Sequence, residues 1–265
     1  MRQMRSITLG LGLALALILT TAAQTETPEE KGLAIAKEAD RRGLGYKDST
    51  SELVMILRNR HGEESERFME VRALELLEDG DKSLTTFKRP ADVKNTGLLT
   101  FSHKLEADDQ WLYLPALKRV KRIASTNKSG PFMGSEFAFE DLADQELEKY
   151  TYRYLFDEVI EGQDCFVIER TPTYKHSGYK RQVTWLDKAE YRIWKVDYYD
   201  RKRSLLKTLT FKKYRLYLDK YWRSHEALMV NHQTGKSTTL LWNNIQFQTG
   251  LTDVDFTKAS LKRTR

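Results

Sequence analysis

The stretch "YKRQVTWLDKAEYRIWKVDYYDRKRSLLKTLTFKKYRLY" (residues 179–217) decides the fold class. Val183 and Trp185 alternate with Gln182 and Thr184, and Trp194, Val196 and Tyr198 alternate with Lys195 and Asp197. A period of two places successive side chains on opposite faces of a strand, so each strand presents one apolar face. The polar breaks "DKAEY" and "DRKRS" are short enough to join neighbouring strands directly, and the stretch reads as an antiparallel meander.

The same pattern extends in both directions. Upstream lie "SELVMILRN" (51–59), "ESERFMEVRALELLEDGD" (64–81), whose "EDGD" is a turn signal, "KSLTTFKRP" (82–90), "GLLTFSHKLEADDQWLYLP" (97–115) and "YTYRYLFDEVIEGQDCFVIERTP" (150–172). Downstream, "HEALMVNHQTGKSTTLLWNNIQF" (225–247) turns at "QTGK", and Asp255, Phe256 and Leu261 are expected to tether the tail. Roughly ten or eleven strands result, and antiparallel sheets of that size curl into a barrel, split into a sandwich, or curl part way and leave a mouth. The apolar inner faces then need covers. Two stretches qualify. "TPEEKGLAIAKEADRRG" (27–43) is a helix with Thr27 as N-cap, Pro28 in the first helical position, Glu30 completing the capping pattern and Gly43 as stop. The irregular piece Ser129 to Tyr150 carries Phe132, Met133, Phe137, Phe139, Leu142 and Leu147 among Gly130, Pro131 and Gly134. Each reads either as a moving cover or as fixed packing.

Met1 to Arg5 carries two arginines and is followed by "SITLGLGLALALILTTAA" (6–23), the layout of a secretory signal, with cleavage placed before Gln24 and one domain over 24–265. The competing reading, a retained anchor, sits near the lower length limit for spanning a bilayer. Cleavage removes two of the 44 basic residues and none of the 38 acids. The remaining surplus, spread along the chain, argues against nucleic acid and for a solvated mixed-charge surface. The one cysteine, Cys165 in "DCFVIER", excludes an internal disulfide and reads as a small buried strand residue.

"DDQWLYLPALKRVKRI" (108–123) sets Trp111 and Tyr113 on one strand face and Leu112 and Leu114 on the other, then gathers Lys118, Arg119, Lys121 and Arg122. The cations fit an anionic headgroup, membrane surface or partner; they equally fit an edge strand guarded against aggregation. Signals for an enzyme are missing: His61, His103, His176, His225 and His232 are scattered, with neither "HExxH" nor clustered Cys/His spacing, and there is no nucleophile elbow, phosphate loop or dinucleotide fingerprint. "HEALMVNH" brings His225, Glu226 and His232 nearest to a metal set, at a spacing that matches no familiar site.

"DDQWLYLPALKRVKRI", "NKSGPFMGSEFAFEDL" (127–142), "YYD" (198–200) before "LLK" (205–207), and "GLTDVDF" (250–256) together resemble the outer-membrane lipoprotein-sorting family, relatives of the LolA-type periplasmic carriers, from about Gly32 to Leu261. The resemblance implies an incompletely closed antiparallel β-barrel with a helical lid. It implies a non-enzymatic periplasmic carrier without cofactor or metal, holding acyl chains of lipids or lipoproteins for transfer toward the outer membrane. A resistance-nodulation-division-type inner-membrane lipid transporter is the implied partner, with transient membrane contact and a monomeric chain. The arginine that couples barrel and lid in LolA-type carriers has no residue-by-residue match, although Arg58 and Arg72 lie in expected strands. On this reading Trp111, Tyr113, Phe132, Met133, Phe137 and Phe139 line the cavity, while Arg119, Lys121 and Arg122 meet a headgroup or partner. A non-carrying periplasmic adaptor that binds an envelope transporter is the alternative.

Overall fold

A computed structural model describes residues 26–263; the expected signal segment lies outside them. The chain opens with helix α1 (Pro28–Gly43), followed by strands β1 (Asp48–Arg58), β2 (Glu64–Leu74), β3 (Lys82–Arg89), β4 (Gly97–Phe101), β5 (Asp109–Leu114) and β6 (Arg119–Arg122). After an irregular insert come β7 (Tyr150–Ile160), β8 (Gln163–Pro172), β9 (Tyr179–Asp187), β10 (Ile193–Asp200), β11 (Leu205–Tyr217), β12 (Tyr221–Asn231) and β13 (Ser237–Phe247), and last the short helix α2 (Lys258–Lys262). Among the described residues no helix is long and apolar enough to cross a membrane.

The thirteen strands form one antiparallel sheet in the order β6-β5-β4-β3-β2-β1-β13-β12-β11-β10-β9-β8-β7. Two meanders, β1 to β6 and β7 to β13, are therefore joined by pairing of β1 with β13. β6 and β7 remain unpaired with each other, so the sheet is an unclosed barrel. Thirteen strands exceed the expected ten or eleven, and β6, where Arg119, Lys121 and Arg122 are exposed, lies outside the stretches counted as strands. Three cations on a four-residue edge strand deter pairing with another chain, which is the guarded-edge reading of that cluster.

Alternation sorts the two faces as the residues require. Leu53, Met55, Met69, Phe87, Leu98, Leu112, Val196, Tyr198, Leu209, Met229 and Leu240 point to a common inner core. On the outer face Leu84, Leu99 and Trp111 meet Phe256 and Leu261 of the tail, so the tail does pack down. Cys165 is fully buried beside Val167 and Trp185, and burial pushes its thiol up to about 11, leaving it protonated.

The predicted capping holds: the Thr27 side chain accepts from the Glu30 N–H at 3.2 Å, and Glu30 accepts from the Thr27 N–H at 2.8 Å. α1 lies on the inner side of β7 and β8 with Ile35 and Ala36 against Tyr150, Tyr152 and Ile168. Gly32 makes this approach possible, because a Cβ there would sit 2.6 Å from backbone atoms of Arg153 and Tyr154. Gly32→Ala is accordingly expected to lift α1 from β7 at a cost of about 1–3 kcal/mol. Limited proteolysis should then cut within α1 while circular dichroism still reports the sheet.

Candidate functional site

The inner face is roofed by two pieces of chain that are held in different ways. The first is the insert between β6 and β7. Its 131–138 portion folds back on itself: the Phe132 N–H donates to Phe137 O at 2.7 Å, and Met133 and Gly134 take positive φ (49° and 79°) at the tip. Phe132 is 1% exposed, with its ring 5.8 Å from Phe87 and 5.5 Å from Phe139, so the insert fills the inside of the sheet.

Polar anchors fix this insert at both ends. Asp141 pairs with Lys207 of β11 at 2.7 Å, both side chains 4% exposed, and accepts from the Tyr179 hydroxyl at 2.8 Å. Lys207 also donates to Glu136 O at 2.9 Å. Asn231 donates to the Glu136 carboxylate at 2.7 Å, and the Glu136 N–H donates to the Thr238 hydroxyl at 3.0 Å. Buried Glu140 accepts from the Gly178 N–H (2.8 Å), Ser177 (2.9 Å) and Tyr174 (3.1 Å), while burial raises its pKa. Gln110 donates to Phe139 O at 2.8 Å, and Arg67 of β2 donates to Met133 O.

Surface contacts hold the second cover, α1. Lys31 lies 3.5 Å from the centre of the Tyr154 ring, and Arg42 pairs with Glu190 at 3.1 Å with both side chains more than a third exposed. Arg153 and Glu29 pair at 3.5 Å in the open. Such pairs contribute about 0–1 kcal/mol each.

Beside the last turn of α1 a cleft of about 530 Å³ opens between the helix and β10–β12. Its floor includes Ile193 and Phe211, which pack on the inner core, and its walls include Tyr214, Trp222, Arg192 and Arg223. Around the other flank of the same turn lies an acidic cleft of about 290 Å³ lined by Asp40, Glu75, Asp79, Asp81, Asp144, Glu146 and Glu148, with Lys104. Desolvation and the neighbouring Asp81 push the Asp144 carboxyl up to about 7 although part of the residue still meets solvent. Desolvation and Asp144 push Glu146 likewise to about 7. The largest cleft, about 1000 Å³, lies on the outer face of β1, β2 and β13, between Glu52, Glu70, Arg72, Lys88, Asn244 and Phe68.

These features are those of a known family. A domain from Vibrio parahaemolyticus, named for outer membrane lipoprotein sorting, is 59% identical over 89% of this chain and 100% of its own, with TM-score 0.87. A DUF1329 family protein from Desulfovibrio piger is 32% identical over 89% of this chain and 99% of its own, with TM-score 0.84. The chain belongs to the DUF1329 family. A family model described as an uncharacterized protein matches residues 79–263. A LolA superfamily protein from Nitrosomonas europaea shares the fold of this DUF1329 chain, with TM-score 0.70 at 19% identity over 86% of this chain and 98% of its own. No protein of curated function matches it.

Against this frame the expected cavity residues divide. Phe132 and Phe137 belong to the inner core, with Met133 and Phe139 packed against it. Trp111 and Tyr113 face outward, under Phe256 and Leu261, while Leu112 and Leu114 take the inner side. Arg122 pairs with Asp109 on the edge, away from the clefts described above. Arg58 pairs with Glu64 and Arg72 with Glu70, so neither reaches a cover; Arg67 reaches the insert through Met133 O, and Arg153 reaches α1 through Glu29. His225 bonds Tyr217 and the Trp242 carbonyl, whereas His232 bonds Thr208. The α1 cleft went unforeseen because its residues come from four separate stretches, and only the unexplained cations of "DRRG" (40–43) hinted at it.

Two expectations follow. Lys207→Met leaves Asp141 buried without its cation and should cost about 3–5 kcal/mol in urea denaturation, part of which Asp141→Asn restores. The raised carboxyls of Asp144 and Glu146 bind protons more tightly folded than unfolded, so stability should fall as pH rises from about 4 to about 7 and level off above. Calorimetry should find a lower Tm at pH 8 than at pH 5, with a shallower slope in Asp144→Asn.

Proposed function

We propose that this chain is a non-enzymatic periplasmic carrier that accepts the acyl chains of a lipid or lipid-modified protein against the inner face of its sheet and passes them toward the outer membrane. The observation that carries this reading is an unclosed sheet, apolar inside, with one cover locked by buried polar bonds and another resting on surface contacts over an apolar-floored cleft. In the arrangement described, the interior is filled by Phe87, Phe132, Met55 and Met229. Loading therefore begins at α1, whose inner side commits little more than Ile35, Ala36 and Ala39.

Magnitudes favour that exchange. Burying a methylene releases about 0.8 kcal/mol, so a dozen of them recover roughly 10 kcal/mol. A helix held by Ile35, Ala36, Ala39 and exposed ion pairs has less than that to lose. On this reading Phe132, Met133, Phe137 and Phe139 back the acyl chain as an apolar wall. Arg119, Lys121 and Arg122 on the exposed edge meet an anionic membrane or an inner-membrane lipid transporter of the resistance-nodulation-division type. The large cleft on the outer face, lined by both polar and apolar side chains, supports a second reading, a periplasmic adaptor that carries nothing and docks a transporter there.

Native mass spectrometry of protein from its own periplasm should reveal a bound amphiphile, and delipidated protein should take up a fluorescent long-chain fatty acid. Ala39→Trp, which plugs the α1 cleft, should reduce uptake with the circular dichroism unchanged. Protein that is lipid-free and takes up no probe removes the carrier reading in favour of the adaptor.

A further inference from the structure

The α1 cleft is chemically two-ended. Towards the core it offers Ile193 and Phe211, and at its rim Arg41, Arg42, Arg192, Lys220 and Arg223 converge, opposed in the lining by Glu190 and Asp219. Most of these cations already have acids: Arg41 and Arg42 share Glu38, Arg42 also meets Glu190, and Arg192 holds Asp187 at 2.8 Å.

Arg223 differs. It is half-buried and makes no ion pair among the described residues, and its one hydrogen bond runs to the Trp222 carbonyl at 3.0 Å. Three rings surround the guanidinium, Tyr46 at 5.5 Å, Tyr221 at 5.6 Å and Phe247 at 5.3 Å. Lys220 beside it gives its ammonium only to the Leu44 carbonyl, at 2.7 Å, and to the face of Tyr221. A desolvated guanidinium without a contact ion pair is costly, and aromatic faces offset only part of that cost. Burial lowers the Arg223 pKa, and the acids that oppose this, Glu75 and Asp81, act on it without a contact ion pair. An anion entering the cleft would supply a directly bonded partner through the planar donor geometry that suits phosphate.

We infer that the α1 cleft seats the phosphate headgroup of the carried lipid on Arg223, Lys220 and the α1 arginines, with its acyl chain running over Phe211 and Ile193 beneath the helix. This rests on the carrier reading and deepens it, giving the cargo as a phosphate-bearing anionic lipid. The exposed ion pairs of Arg41 and Arg42 exchange partners readily, so they can turn from Glu38 to the headgroup at little cost.

The test compares three probes on the full mature chain: lysophosphatidic acid, a monoacylglycerol with the same acyl chain, and inorganic phosphate. Lysophosphatidic acid should bind about tenfold tighter than the monoacylglycerol, an advantage that shrinks with added salt. Inorganic phosphate at millimolar concentration should leave that binding unchanged. Arg223→Met should abolish the preference, read as the ratio of the two affinities. Arg41→Gln, at an exposed position that folding does not need, should reduce the preference and covers the case in which the first variant fails to fold. Equal binding of both lipids, or a preference that both variants retain, overturns the headgroup site and leaves the carrier reading standing. Displacement by inorganic phosphate overturns it in favour of a free-phosphate site. No binding of either lipid removes the carrier reading and this inference with it.

Discussion

A sheet whose two edges never meet cannot bury its own inner face, and the rest of the molecule answers that constraint. β6 and β7 are the open edges, and the chain that connects them in sequence is the insert. The same segment that fails to bridge the edges by pairing must pass across the opening between them. Its glycines, proline and phenylalanines suit that path: irregular backbone where no neighbouring strand is available, and aromatic volume where the sheet leaves a hollow. Backbone groups in this position lack ladder partners. That explains why side chains stand in for strand partners: Lys207 donates to Glu136 O, Gln110 to Phe139 O and Arg67 to Met133 O, while Thr238 accepts from Glu136 N–H and Asp141 from Ala138 N–H.

The two covers follow different energetic rules. A buried ion pair such as Asp141–Lys207 adds little net stability compared with an apolar pair, but separating it strands a charge in a dry site. It acts as a latch that resists partial opening. The contacts of α1 lack this property: each exposed pair can be lost to water singly, and Gly32, Ala36 and Ala39 give a smooth, shallow contact. Graded attachment suits a part that moves, and all-or-none attachment suits a part that stays. The difference is why the proposed loading route opens at the N-terminal helix and uses the aromatic insert as its wall.

Local chemistry made much of this legible in the sequence. Thr27, Pro28, Glu30 and Gly43 mark the helix because capping depends on residues within one turn, and the period-two runs mark the strands because pleat direction depends only on parity. Parity also separated Trp111 and Tyr113 from Leu112 and Leu114 but did not fix which pair turns inward, and the aromatic pair assigned to the cavity faces out. That choice belongs to the tail, since Phe256 and Leu261 cover one face of β3–β5 from well over a hundred residues away. Strand β6 escaped the count because four residues with three cations carry no alternation of hydrophobicity to detect. The α1 cleft escaped because it depends on the sheet order, which brings β10–β12 under a helix from the chain's beginning.

Charge placement then separates two kinds of basic residue that look alike in sequence. Arg119, Lys121 and Arg122 stand in water on an edge, where hydration already stabilises them and an added anion gains little beyond weak attraction. Arg223 stands among rings with water partly excluded, where the same anion would relieve a desolvation cost built into the fold. The stronger recognition therefore belongs to the half-buried cation, although the denser cluster is at the edge. Since that cation lines the opening at α1, the charge that draws an amphiphile's head and the helix that must yield to its tail are neighbours, and entry and recognition can proceed as one event.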